Sequence, residues 1–138
     1  MTLALCLFGV AGVQQGKAAL QQELSPRAVF AAAESLVQHV LEPAEAAGWA
    51  TTVFAHSWSG TRGSGSKLAH AVDAAYGDRL GGSHHERFGI YTTERVTSML
   101  ISITSALRLA RNHAARTRGA PFRLVLLARH DVFFFQPL

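Results

Sequence analysis

Three short stretches of this 138-residue chain gather residue types that can do chemistry. The first holds Gly9, Gly12, Gly16 and Lys17 directly after an apolar run. The spacing from Gly12 to Lys17 resembles a phosphate loop, whose backbone amides cradle phosphates and whose Ser or Thr hydroxyl holds magnesium. It is one residue short between the glycines, and Ala18 stands where the hydroxyl should be. What remains is a pair of glycines that let the backbone come close to a ligand, or that turn the chain. The second stretch is Ala55, His56, Ser57, Trp58, Ser59 and Gly60. It resembles the G-x-S-x-G elbow of α/β-hydrolases, with Ser57 as nucleophile, but Ala55 and Ser59 replace both glycines. An acid and then a histidine should follow, and no later strand end offers that pair. The bland alternative for His56 is a ring satisfied locally at a strand terminus. The third stretch is Arg129, His130 and Asp131. A carboxylate directly after a buried strand is costly unless paired. Asp131 therefore either pairs with Arg129 or faces a ligand, and hard oxygen donors suit Mg2+ or Mn2+ on a diphosphate.

Each stretch needs an element to hold it. Residues 3–9 are a continuous apolar run without alternation, as in a central parallel strand buried on both faces. Ser25 and Pro26 are a helix start, and Val29, Phe30, Ala33, Leu36, Val37 and Val40 recur at helical spacing. Pro43 ends or kinks that helix before Gly48. The β-branched and aromatic residues 51–57 predict a second strand. A Gly/Ser loop over 59–66 and a short helix over 67–76 follow. Residues 78–89 show no usable periodicity and read as loop, so the adjacent His84 and His85 read as a solvated pair: no carboxylate or third histidine lies at helical spacing beside them. Val96, Met99, Leu100, Ile103, Leu107, Ala110 and Ala114 predict a long helix with a core-facing stripe. Residues 122–128 predict a third buried strand, and 132–135 a short further one. The order gives an α/β domain of Rossmann-like, three-layer type with a mostly parallel sheet and right-handed crossovers. In such sheets ligands bind beyond the carboxyl ends of the strands, where all three stretches fall.

Bulk properties narrow the classes. With 49% apolar and 16% charged residues, one domain spanning 1–138 can bury a core, and disorder is excluded. A net charge of +4 favours anionic ligands, but its basic residues are scattered, without the aromatic interleaving of a nucleic-acid binder. The lone Cys6, inside the first apolar run, excludes an internal disulfide and fits a small core residue. No segment approaches the roughly 18 apolar residues of a membrane span. Ending just after a strongly apolar strand, the chain reads as the front part of a longer sheet, truncated at its C-terminal side.

Leu5 to Gly9 (LCLFG), Val53 to Trp58 (VFAHSW), the MLISITSALRL stretch and Leu126 to Val132 (LLARHDV) stand in an order that resembles one group: glycosyltransferase-like proteins, often associated with capsule or surface polysaccharide, and also found in algae and large viruses. The resemblance covers nearly the whole chain through short motifs. It implies an incomplete GT-A-like nucleotide-sugar fold, with Asp131 where such folds carry their acidic metal ligand. The implied donor site comprises Gly9, Gly12, Lys17, His56, Arg129 and Asp131, with Mn2+ or Mg2+ on Asp131, a nucleotide-sugar donor and an unspecified acceptor. This chain departs from the group in having one acidic residue rather than D-x-D. It also has Thr52 where Asp is frequent, and Lys17 as the base nearest the first strand. The rival readings are a serine hydrolase built on Ser57 and a non-catalytic α/β fragment.

Overall fold

The computed structural model describes residues 1–9, 26–58, 65–86, 95–117 and 121–130. Gly12, Lys17, Asp131 and the strand expected at 132–135 lie outside them. The described elements are β1 (Thr2–Phe8), α1 (Pro26–Leu36), α2 (Glu42–Ala46), β2 (Ala50–Trp58), α3 (Gly65–Tyr76), β3 (Leu80–Glu86), α4 (Arg95–Thr117) and β4 (Leu124–Arg129). The strands form one sheet in the order β3-β2-β1-β4, and every pairing is parallel. Helices α1 and α3 cover one face and α4 the other, giving a Rossmann-like three-layer α/β fold.

The apolar run of β1 lies between two strands and is buried on both faces from Leu3 to Leu7, which is why it shows no alternation. Leu3, Leu5 and Leu7 pack with Val53 and Ala55 against Val29, Ala33 and Leu36 of α1 and Leu68, Val72 and Tyr76 of α3. Ala4, Cys6 and Phe54 face α4. Burial pushes the Cys6 thiol up to about 11, so it behaves as a small apolar group. Phe30, expected on the inward stripe of α1, is 45% exposed. Before Pro43 the helix widens into a π turn at Val37–Leu41, where the Glu42 amide reaches the carbonyl of Val37. The wider turn absorbs the missing amide of Pro43 and lets Glu42–Ala46 continue as α2.

Three expectations are corrected. Residues 80–86 form an edge strand rather than a loop; its pairing with β2 overrides a weak local signal. Gly81 is the extra residue of a bulge opposite Val53 and Phe54, and a Cβ there would stand 2.5 Å from Thr52 Cγ2. The strand at 124–129 is not buried: among the described strands it lies at the other edge, with Leu124, Val125 and Leu127 exposed. The inward face of α4 is Ser102, Ser105, Ala106 and Ala110, whereas Val96, Met99, Leu100 and Leu107 are exposed. The bulky ring of Phe54 demands small partners on the helix above it, so the helix turns its alanines and serines inward.

At the opposite end of the sheet from the candidate stretches, Glu45 joins three elements. Its carboxylate accepts a forked pair from Arg79, at 2.9 Å through both Nε and Nη2, and a hydrogen bond from the Thr51 hydroxyl. The Arg79 hydrogen bond holds the Glu45 carboxyl down at about 2, from an ordinary 4.5. A depressed carboxylate stabilises the fold above its unfolded pKa and loses that contribution as pH falls through the folded one. Melting temperature should therefore drop between pH 4.5 and 2, and Arg79→Met should flatten that part of the profile. Both side chains are about a third exposed, so the expected size is about 1 kcal/mol or less.

Candidate functional site

Strand β2 ends on His56, Ser57 and Trp58, and β3 ends on His84, His85 and Glu86, paired in register as His56↔His84, Ser57↔His85 and Trp58↔Glu86. Side chains alternate along a strand, so neighbouring histidines project to opposite faces. Two separate polar groups result.

On the α4 face, His56 Nε2 and His84 Nε2 each lie 3.2 Å from Oε1 of Glu86. His56 is fully buried, its ring edge-on to Trp58 and tilted against His84. Its Nδ1 is 2.7 Å from the hydroxyl of Ser102, which is fully buried on α4 and also accepts the Gly9 amide at 2.8 Å. The carboxylate can only accept, so Nε2 of His56 carries the proton and Ser102 donates to Nδ1. The links run from Gly9 N–H through Ser102 and His56 to Glu86. Desolvation lowers the His56 pKa against the opposing pull of Glu86. A buried, neutral imidazole is the form that binds metals. The ligand atoms of His56, His84 and Glu86 lie within 4.8 Å of one another, and this group can hold a metal ion.

On the α1–α3 face, Ser57 Oγ is 2.6 Å from His85 Nδ1, and His85 Nε2 is 3.0 Å from Asp73 Oδ1 on α3. The same proton accounting makes Ser57 the donor to His85, and His85 the donor to Asp73. Sequence reasoning found no acid and histidine to follow Ser57, yet the fold supplies both, in the chain order Ser, Asp, His. The backbone of Ser57 is ordinary strand, paired with β3 together with His56 and Trp58 on either side of it, and the residue is fully buried.

The predicted residues divide accordingly. Gly9 has φ +103°, a conformation that favours glycine, and turns the chain as it leaves β1. Its amide is taken by Ser102 and its carbonyl by the Trp58 amide at 3.1 Å, so it shapes the turn. His56 is at the centre of the metal-capable group. Arg129 ends β4 on the exposed edge. Next to it, buried His130 reaches across the end of β1 and donates from Nε2 to the His56 carbonyl at 2.9 Å. His84, Glu86, Ser102 and His130 were not singled out as site residues by sequence reasoning. The available signal was H-x-E at strand spacing in residues 84–86, which requires knowing that β3 is a strand.

A scan against protein-family models, a search of curated proteins and a search of solved structures each return no match. Among the described residues, no helix is long and apolar enough to cross a membrane.

Proposed function

We propose that this chain is a nucleotide-sugar-binding domain of glycosyltransferase type, assisted by a divalent ion at the carboxyl edge of its sheet. The observation that carries the reading is the convergence of His56, His84 and Glu86 there, on the edge where open parallel sheets bind ligands. His56 belongs to one of the stretches on which the glycosyltransferase resemblance rests. In this reading the ion and Asp131 engage the diphosphate, while Lys17 or Arg129 offsets its charge. Gly9 and Gly12, lacking side chains, would let the nucleotide approach the backbone in this reading. Calorimetric titration of UDP- and GDP-sugars, with and without Mn2+, tests this. Asp131→Asn should abolish binding while costing little stability. Unchanged binding in that variant sinks the role given to Asp131, and no affinity for any nucleotide-sugar sinks the reading in favour of a non-catalytic fragment.

The hydrogen-bonded chain Ser57–His85–Asp73 supports a second reading, a serine hydrolase. Full burial of Ser57 and its regular strand backbone favour a structural tie between β2, β3 and α3 instead. Ser57→Ala is accordingly expected to leave any activity within a small factor and to lower stability by about 1–3 kcal/mol, through the lost buried hydrogen bond. Melting curves and a probe-ester assay check both halves. A loss of ester hydrolysis of about a thousandfold would promote the hydrolase.

A further inference from the structure

We infer that His56, His84 and Glu86 form a three-ligand centre for a borderline transition ion of the zinc type, with one coordination position left open and with Ser102 as the residue that presents His56 to the ion. The inference rests on the metal-bearing half of the reading above and is independent of the sugar.

Donor chemistry comes first. Two of the three ligands are imidazole nitrogens, which suit Zn2+ or Co2+, whereas Mg2+ prefers an all-oxygen shell. Two histidines with one glutamate, and a fourth position for water or substrate, is a recurring donor set of catalytic zinc. The geometry agrees. With bonds of about 2.0–2.1 Å, tetrahedral donors lie about 3.3 Å apart. Both imidazole-to-carboxylate separations are already 3.2 Å, and all three donor atoms lie within 4.8 Å of one another, so loading has chiefly to draw the two imidazoles together. Access is one-sided: the His84 side chain is 50% exposed and that of Glu86 23%, against 0% for His56. An ion enters past the first two and meets the third already in place.

Ser102 makes that placement workable. Binding through Nε2 of His56 requires the proton to sit on Nδ1 instead. Ser102 Oγ has two lone pairs, one taken by the Gly9 amide, so it accepts Nδ1–H with the other. Its own proton then turns back toward the carbonyl one helical turn earlier, a bond that helical serines commonly make. The neutral imidazole changes tautomer without net gain or loss of a proton. Loading the centre therefore reverses the Ser102–His56 hydrogen bond while the tie to Gly9 is kept. The open position would admit an oxygen ligand, a water or a phosphate oxygen, which the ion would polarise as a Lewis acid.

The test uses the full chain freed of metal by chelation, titrated with Zn2+, Co2+ and Mg2+ and followed by calorimetry and thermal melting. One Zn2+ per chain should bind and raise the melting temperature, and Mg2+ at equal concentration should do neither. His84→Ala and Glu86→Gln should each weaken Zn2+ binding a hundredfold or more, with far-ultraviolet circular dichroism unchanged, since both positions are part-exposed. Ser102→Ala should weaken it about 10–100-fold, the usual cost of losing an outer-sphere partner. Nitrogen-15 NMR of the His56 ring should show the proton moving from Nε2 to Nδ1 on loading, and Ser102→Thr, which keeps the hydroxyl, should restore the affinity that Ser102→Ala loses. Zn2+ binding unchanged by His84→Ala and Glu86→Gln, which would place the ion on other surface histidines, overturns the inference. So does equal affinity for Mg2+, or no Zn2+ binding at all. Loss of Zn2+ binding with nucleotide-sugar affinity intact fails this inference alone; Zn2+ binding without nucleotide-sugar affinity fails only the donor assignment.

Discussion

Phe54→Ala is expected to destabilise the protein by about 3–5 kcal/mol, the usual range for emptying a buried aromatic site. Phe54 is the largest fully buried side chain among the described residues. Its ring fills the space between β2 and α4, edge-on to His113 at 5.3 Å and to Phe122 at 5.5 Å. The alanines of α4 above it are too short to close the gap, so relaxation can recover little. Chemical denaturation should show a lower midpoint with an unchanged slope. A loss below 1 kcal/mol would mean that α4 does not sit on this face of the sheet. Because Ser102 rides on α4, His56 should also become less ordered in this variant. Metal affinity should then fall although no ligand has been touched.

Gly81→Ala is expected to cost about 1–3 kcal/mol or somewhat more, by overpacking rather than by a cavity. The added Cβ would meet Thr52 Cγ2 at 2.5 Å and the Phe54 ring at 2.7 and 2.9 Å. Gly82, its neighbour, offers a control: a Cβ there finds nothing nearer than 3.8 Å. Gly82→Ala should thus be mild, and a larger loss at 82 than at 81 would place the bulge wrongly. Combining Gly81→Ala with Phe54→Ala should cost less than the two losses added, since the ring is one of the two obstacles. The methyl of Thr52 remains, so the relief should be partial.

These two residues also show where reading the chain alone stops. The apolar run of β1 announces a parallel strand buried on both faces, and the β-branched and aromatic residues of β2 announce a second strand. Strand β3 announces nothing, since Gly81 and Gly82 are poor strand formers and four polar residues end it. Its strand character is imposed by pairing with β2, a partner more than twenty residues earlier in the chain. Without that pairing the histidines read as solvated, because Glu86 lies at strand rather than helical spacing from His84. His56 was visible as a strand-end residue, but its contact with Ser102 spans 46 positions and appears only once α4 is laid on the sheet. The stripe of α4 misled for a related reason: apolar residues mark a face, and here the sheet needed small ones. In β4, an apolar run at an edge looks the same in sequence as one at the centre.

The bulge at Gly81 has one more consequence. Leu80 must pack on the α1–α3 side with Val53, while His84 and Glu86 must appear on the α4 side with His56. The two stacked glycines reconcile these demands by shifting the pleat by one step, much as an inserted base shifts a reading frame. Downstream of that step the frame decides which histidine serves which group. One further residue inserted between Gly82 and Ser83 would bring His84 opposite Ser57, Ser83 opposite His56, and Glu86 to the far face. The composition of the strand would be unchanged, and both polar groups would be dismantled at once. The histidine doublet is thus a message whose meaning is fixed by parity, and the parity is written in glycine.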